Sequence, residues 1–151
     1  MDLPDYPTED LARLRMYECQ GTLIGGMVVA GTLGMSAEEY GYQMMMHQGI
    51  RWERLSGDLE KIARIFTEHF QVTYGFGSAL QVWLDGDRLE MTMPSISEAA
   101  RGQLEHWRVS PEQYEDIQRG FWRSLSENAG VEVQLEFSAE AHRVQLSRRA
   151  A

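Results

Sequence analysis

Residues 80–93 read LQVWLDGDRLEMTM, and the fold class follows from this stretch. Apolar and polar residues alternate on both sides of Asp85-Gly86, a dipeptide that is typical of two-residue hairpin turns. Trp83 is the one aromatic residue on the polar side of this alternation. The pattern therefore predicts an antiparallel hairpin with one buried face and one polar face.

A second hairpin is predicted near the end of the chain. Val131, Val133, Leu135 and Phe137 alternate with polar residues, and the same apolar period returns at residues 144 and 146. We expect one antiparallel sheet, covered by helices on one face. Its strands are predicted near residues 79–84, 88–93, 131–137 and 143–147.

Helical patterns precede and separate the two hairpins. The first helix is predicted from about Glu9 to Leu33, with Gly34 at its end. An apolar stripe of period 3.6 predicts helix over residues 37–70, with a break near Gly57-Asp58 where Asp58 caps a new helix. Residues 72–74 are predicted as a short strand. Two further helices are predicted over residues 97–107 and 110–128.

These elements predict an α+β fold in a single domain over residues 1–151. The order is long N-terminal helices, a hairpin, two helices and a second hairpin, with residues 1–7 as a loose arm. The hydrophobic content of 43% and charged content of 25% are ordinary for a globular protein.

Charge and hydropathy argue against several classes of partner. The net charge of −9 opposes binding to nucleic acids and to anionic membrane surfaces. The most apolar stretch, residues 22–35, is shorter than the roughly 20 residues that cross a bilayer. Cys19 is the only cysteine, so no intramolecular disulfide can form. The N-terminal residues lack the pattern of a signal peptide, and a cytoplasmic location is expected.

No pattern in the sequence identifies a catalytic or metal site. The four histidines have no metal-ligand spacing, and Gly75-Phe76-Gly77 is not a dinucleotide-binding motif. We expect no metal and no cofactor, and the catalytic residues stay unknown. His47 and His69 are interpreted as structural histidines, and Cys19, on an apolar helix face, as inert.

Six residues are predicted to line an apolar pocket between the helices and the sheet. Methionine packs adaptably around ligands, aromatic side chains offer large apolar surfaces, and an amide on an apolar face needs a polar partner. The predicted ligand-binding residues are Met45, Gln48, Trp52, Phe66, Met91 and Phe121. Their predicted ligand is a small apolar or aromatic molecule. Trp83 is interpreted as a singly exposed aromatic residue, and the alternatives are a pocket lip or a partner contact.

The first helix predicts self-association. Residues 22–35 are apolar on all faces, and this half is expected to be buried all round. Four glycines, Gly21, Gly25, Gly26 and Gly31, are expected to leave room for a second helix. A homodimer through this helix is predicted, and the alternative is that the chain's own helices cover it.

Part of the second half resembles the 4-vinyl-reductase domain. The resemblance covers residues 70–148 and rests on Tyr74-Gly75-Phe76-Gly77, the hairpin at residues 80–93, Gln118-Arg119-Gly120-Phe121-Trp122 and Gly130-Val131-Glu132-Val133. This family shares an α+β fold with haem–nitric-oxide-binding domains, so the resemblance implies a small-molecule-binding domain. The chain lacks the cysteines that the family often carries near its last hairpin.

The first half, with Trp52 in a long amphipathic helix, also resembles the thiazoline-carboxylate-hydrolase-like family. Three hypotheses follow. The first is a non-enzymatic binding domain of sensor or carrier type. The second is a small hydrolase-like enzyme with Gln48 or a histidine as the polar group of its pocket. The third is an assembly subunit that uses the first helix and Trp83 as contacts.

Overall fold

The computed structural model describes residues 7–47, 52–55 and 57–149. Its first half is helical and its second half alternates hairpins with helices. In order, the elements are α1 (Thr8–Thr32), α2 (Ala37–His47), a 3-10 turn (Trp52–Arg54), α3 (Leu59–Tyr74), a second 3-10 turn (Gly77–Ala79), β1 (Gln81–Asp85), β2 (Arg88–Pro94), α4 (Ile96–Ala99), α5 (Arg101–Trp107), α6 (Pro111–Asn128), β3 (Val131–Phe137) and β4 (Ala141–Arg148).

The four strands form one antiparallel sheet in the order β1-β2-β4-β3. Asp85 is the last residue of β1 and pairs with Arg88, so the two-residue turn is Gly86-Asp87, one residue later than the predicted Asp85-Gly86. Met91 of β2 pairs with Val144 of β4. Alternate residues of the two central strands point into the core, where Leu89, Met91 and Leu146 are almost fully buried. The predicted α+β class and all four antiparallel strands are therefore confirmed.

Two predicted helix starts are confirmed by their caps. The Asp58 side chain accepts a hydrogen bond of 3.1 Å from the Lys61 backbone N–H, which satisfies one exposed donor of α3. Ser110 and Gln113 form a reciprocal capping box at the start of α6, followed by Pro111 at the first helical position.

Three local predictions were wrong. The helix predicted over residues 37–70 is interrupted well before Gly57-Asp58, since α2 ends at His47, Trp52–Arg54 is a 3-10 turn and α3 begins at Leu59. Trp52 therefore does not lie in a long amphipathic helix.

Residues 72–74 are not a strand but the last turn of α3, which ends at Gly75 with a left-handed φ of 65°. The amphipathic stripe of α3 continues through Phe70 to the buried Tyr74, so packing overrides the strand preference of Val72 and Thr73. The helix predicted from Ser97 is two short helices, α4 and α5, and Ser95 is the cap of α4.

The C-terminal half of α1 is not buried all round, which corrects that prediction. Leu23, Ile24 and Met27 are buried, but Val29 is 61% exposed and Leu33 is 83% exposed. This helix packs against α2, α3 and α5 rather than against the sheet. One face of α1 is therefore left uncovered within the chain.

The sheet side of the helical layer is formed mainly by α3 and α6. Helices α2 and α6 cross at two glycines, because a Cβ on Gly41 would overlap the Ile117 carbonyl and a Cβ on Gly120 would overlap the Glu38 carbonyl. Arg123 of α6 closes the contact with ion pairs to Glu38 and Glu39 of α2. Among the described residues, no helix is long and apolar enough to cross a membrane.

Candidate functional site

Five of the six predicted ligand-binding residues lie in the packed core. Met45, Trp52, Phe66, Met91 and Phe121 each have at most 3% of their surface exposed. The sixth, Gln48, lies outside the described residues. The described members thus face the interior as expected, where they belong to the hydrophobic core.

Aromatic stacking joins part of this set directly. The Trp52 and Phe66 rings stack with centroids 6.0 Å apart, and the Trp52 indole N–H donates to the Met45 carbonyl at 3.1 Å. Trp122, which the sequence interpretation passed over, lies closer to Phe66, at 4.2 Å. The sequence signal for Trp122 was its position beside Phe121 on the same helix. Neighbours on a helix point about 100° apart, so each needs its own assignment, but only Phe121 was assigned a role.

The open apolar spaces lie on the flanks of α1 instead. The first, which we call the α1–α3 cleft, has a volume of about 640 Å³. Its floor is apolar and its walls come from four helices; the lining includes Cys19, Leu23, Met44, Ile65, Val72 and Phe121. This volume lies within the range of small-molecule sites, roughly 300–1,000 Å³.

His69 gives the α1–α3 cleft its one imidazole. Burial lowers the pKa of His69 from 6.5 to about 4, so the ring is neutral at physiological pH. Its Nε2 atom is buried and has no hydrogen-bond partner within the described part of the chain. The ring packs edge-on against Phe70, with centroids 5.5 Å apart. A neutral, partly unsatisfied polar group therefore borders an apolar space.

The charges around the α1–α3 cleft are negative. Glu18 and Glu68 both line it, and the lining includes no lysine or arginine among the described residues. A carboxylate or phosphate ligand would meet only like charge there, whereas a neutral or cationic ligand would not.

The second open space, the α1–α5 groove, has a volume of about 880 Å³. It lies between α1 and α5, with Leu14, Tyr17, Val29 and Trp107 among its lining residues. Two hydrogen bonds fix its far wall: Gln103 donates to the Tyr17 carbonyl at 3.0 Å, and the Trp107 indole donates to Gln103 at 3.2 Å. Glu18 and Thr22 border both spaces, so α1 forms a ridge between them.

The glycines of α1 face the chain's own side chains. A Cβ on Gly21 would meet Gln103 at 3.2 Å, one on Gly25 would meet Trp107 at 3.0 Å, and one on Gly26 would overlap the Tyr40 hydroxyl. Only Gly31 has open space around it. Three of the four glycines therefore make room for side chains of the same chain. They were predicted to make room for the helix of a second copy.

A separate polar cluster lies where β4 meets α6. His142 is 1% exposed, its Nε2 lies 3.7 Å from Glu115 Oε1, and Ser97 Oγ lies 3.5 Å from the same oxygen. Burial, with a smaller contribution from Arg119, lowers the pKa of His142 to about 4. Ser97 contacts the carboxylate and not the imidazole, so this cluster lacks the nucleophile–base hydrogen bond of a catalytic triad.

The other candidates are distributed over the surface. His47 is exposed at the end of α2. Trp83 is 52% exposed on the edge strand β1, with exposed Val82 and Leu84 beside it. All five residues of β1 are exposed, so the buried face predicted for the first hairpin is present only on β2. Cys19 and His69 share the α1–α3 cleft, but no hydrogen bond between them occurs in the described structure. No group of three or more potential metal ligands occurs among residues 7–47, 52–55 and 57–149.

Comparisons with known proteins identify no relative. The chain matches no family model, and no curated protein or solved structure is significantly similar to it. The interpretation of the molecule therefore rests on its own geometry.

Proposed function

We propose that the protein is a small-molecule-binding domain of sensor or carrier type, and that the α1–α3 cleft is its binding site. The observation that carries the proposal is an apolar cleft of about 640 Å³ bordered by the neutral imidazole of His69. Ligand sites commonly combine an apolar lining with a few polar groups that orient the ligand. The proposal keeps the expected apolar ligand but moves its site from the helix–sheet interface to the flank of α1.

The preferred ligand is a neutral or cationic apolar molecule. Glu18 and Glu68 disfavour anionic groups, and the buried, unpartnered Nε2 of His69 is a polar atom that needs a hydrogen-bond partner. This chemistry is compatible with the small-molecule role that the resemblance to the 4-vinyl-reductase domain implies. No cofactor or metal is part of the proposal, and a cytoplasmic location is proposed with it.

Binding of Nile red, a neutral apolar dye, tests this proposal. Val72 lines the cleft and is 49% exposed, so Val72→Lys places a charge at the site without disturbing the core. We expect it to weaken dye binding about fivefold, the equivalent of about 1 kcal/mol. Val82→Lys is the matched control, because Val82 is 41% exposed on β1, away from the cleft. Equal affinities of both variants and the unmodified protein would contradict the proposed site.

A second candidate function is that of an assembly subunit which forms a homodimer through α1. The observation that favours it is the exposed apolar face of this helix, with Leu11, Leu14 and Val29 all more than two-fifths exposed. Exposed large apolar side chains that share a helix face are typical of interaction sites. Native mass spectrometry distinguishes the candidates: a retained small ligand supports the first, and a ligand-free dimer supports the second.

The hydrolase-like alternative has less support. It needs a nucleophile that is hydrogen-bonded to a positioned base, and His69 and His142 are the buried imidazoles that would be the candidate bases. Neither forms a hydrogen bond with Cys19 or with a serine hydroxyl in the described residues.

A further inference from the structure

The α1–α3 cleft changes in character between its floor and its mouth. At the floor, Leu23 of α1 and Phe121 of α6 are buried, and Met44 of α2 is half-buried. At the mouth, Glu18 on the α1 wall and Glu68 on the α3 wall are both exposed. The two carboxylates therefore lie on opposite walls of one space whose deeper part is apolar.

Neither mouth carboxylate forms an ion pair within the described residues. Arg15 and Arg64 lie one helical turn before Glu18 and Glu68, at the spacings that allow ion pairs on a helix. Arg64 lies 3.9 Å from Glu60 instead, and no pair between Arg15 and Glu18 is present in the described structure. The mouth of the cleft thus keeps a negative charge that a cationic group of a ligand can offset.

His69 adds a buried polar atom without a partner. Its Nε2 atom has no hydrogen-bond partner in the described part of the chain, although most buried polar atoms have one. A neutral imidazole can present this nitrogen as an acceptor, and an ionised carboxylate can only accept hydrogen bonds. The unpartnered polar atoms around the cleft are therefore complementary to a ligand that donates hydrogen bonds.

We infer that the ligand of the α1–α3 cleft is an apolar primary amine. Its carbon skeleton lies on the apolar floor, and its ammonium group lies at the mouth, where it donates hydrogen bonds to Glu18 and Glu68. An ammonium group has three donors and no acceptor, so it is complementary to carboxylates on two walls. The inference rests on the binding role proposed above and narrows the ligand from a neutral or cationic molecule to a cationic one.

Four ligands with the same eight-carbon chain test the inference. They are 1-octylamine, octyltrimethylammonium, 1-octanol and octanoate, and their binding is measured by isothermal titration calorimetry at neutral pH. We expect octylamine to bind about tenfold more tightly than octanol, and octanoate to bind most weakly. Octyltrimethylammonium, which has the charge but no N–H donor, should bind less tightly than octylamine. Added salt should reduce the advantage of octylamine over octanol, because exposed charges are screened.

Conservative substitutions locate the effect of charge. Glu68→Gln removes one negative charge at an exposed position, so the fold should persist. We expect it to weaken octylamine binding about threefold and to leave octanol binding unchanged. Glu60→Gln is the matched control, because Glu60 is exposed on the same helix and does not line the cleft. A variant with both Glu18→Gln and Glu68→Gln should bind octylamine and octanol about equally.

The outcomes separate this inference from the proposed function. Equal affinities of the unmodified protein for octylamine and octanol would overturn the amine and leave the cleft as a site for neutral ligands. An equal effect of Glu60→Gln and Glu68→Gln would overturn it too, since the attraction would then come from the whole acidic surface. Octyltrimethylammonium binding as tightly as octylamine would overturn the need for a donor. The failure of the site itself is read separately, from Nile red binding that Val72→Lys leaves unchanged.

Discussion

The two sides of the helical layer differ in how completely the chain fills them. Towards the sheet, Trp52, Phe66 and Trp122 stack in a continuous aromatic cluster with almost no exposed surface. Along the outer side of α1, side chains such as Leu14 and Val29 border open apolar space. The inner side therefore holds the fold together, whereas the outer side is available for a ligand or a second copy.

The largest expected effect tests the inner side. Phe66→Ala removes a buried ring that contacts Trp52, Phe70 and Trp122. We expect a loss of about 3–5 kcal/mol in the free energy of unfolding, measured by urea titration. Leu14→Ala on the outer side is the control and should change the stability of the monomer by less than about 0.5 kcal/mol. Similar losses for both variants would remove the distinction between the two sides.

Glycine substitutions are expected to show the same difference between the inner and the outer side. A Cβ on Gly120 would overlap the Glu38 carbonyl and lie 2.6 Å from the Tyr42 backbone nitrogen, so Gly120→Ala should cost about 3 kcal/mol. Gly31 of α1 has no atom within 4 Å of the added Cβ. Gly31→Ala should therefore raise stability by about 0.5–1 kcal/mol through helix propensity. A Gly120→Ala variant as stable as the parent would mean that α2 and α6 do not cross this closely.

Histidine titration gives a smaller, pH-dependent effect. Both His69 and His142 have a pKa lowered from 6.5 to about 4, so between these values the unfolded chain binds more protons than the folded one. The free energy of unfolding therefore has its full value, as far as these histidines contribute, above about pH 6.5, where both are neutral in the folded and the unfolded chain. It decreases as the pH falls towards 4. For the fully buried His142, the loss at about pH 5 is roughly 2 kcal/mol.

His142→Asn isolates that contribution. Relative to the parent, the variant should lose less stability between pH 7 and pH 5, as followed by urea titration at each pH. If His142→Asn loses stability with the same slope as the parent, the imidazole is not held neutral in the fold.

Local patterns predicted most of the fold. The turn signal at Gly86 and the alternation around it predicted the first hairpin to within one residue, and Asp58 and Ser110 cap their helices as expected. Residues 72–74 were mistaken for a strand because their side chains favour strands, while the burial of Tyr74 that keeps them helical is a tertiary effect. Local sequence does not show which helices pack against one another.

The same limit applies to the candidate site. Met45, Trp52 and Phe66 could be recognised as interior residues from periodicity, but periodicity does not distinguish a packed interior from a pocket. The α1–α3 cleft combines Cys19 of α1 with His69 of α3, which are fifty residues apart in the sequence. His69 was interpreted as structural because it lies at the margin of the apolar stripe near a helix end, where histidine is favourable. Its position in the sequence gives no sign of the open space beside it.

Alkylation of Cys19 is the sharpest test of the α1–α3 cleft as a binding site. Cys19 is the only cysteine and lines this cleft, so N-ethylmaleimide reports on the site without any substitution. A variant with Cys19→Ser and Ala139→Cys provides a control thiol in the exposed loop between β3 and β4. We predict that saturating Nile red slows alkylation of Cys19 and leaves that of the control thiol unchanged. Equal alkylation rates of Cys19 with and without the dye would contradict the proposed use of the cleft.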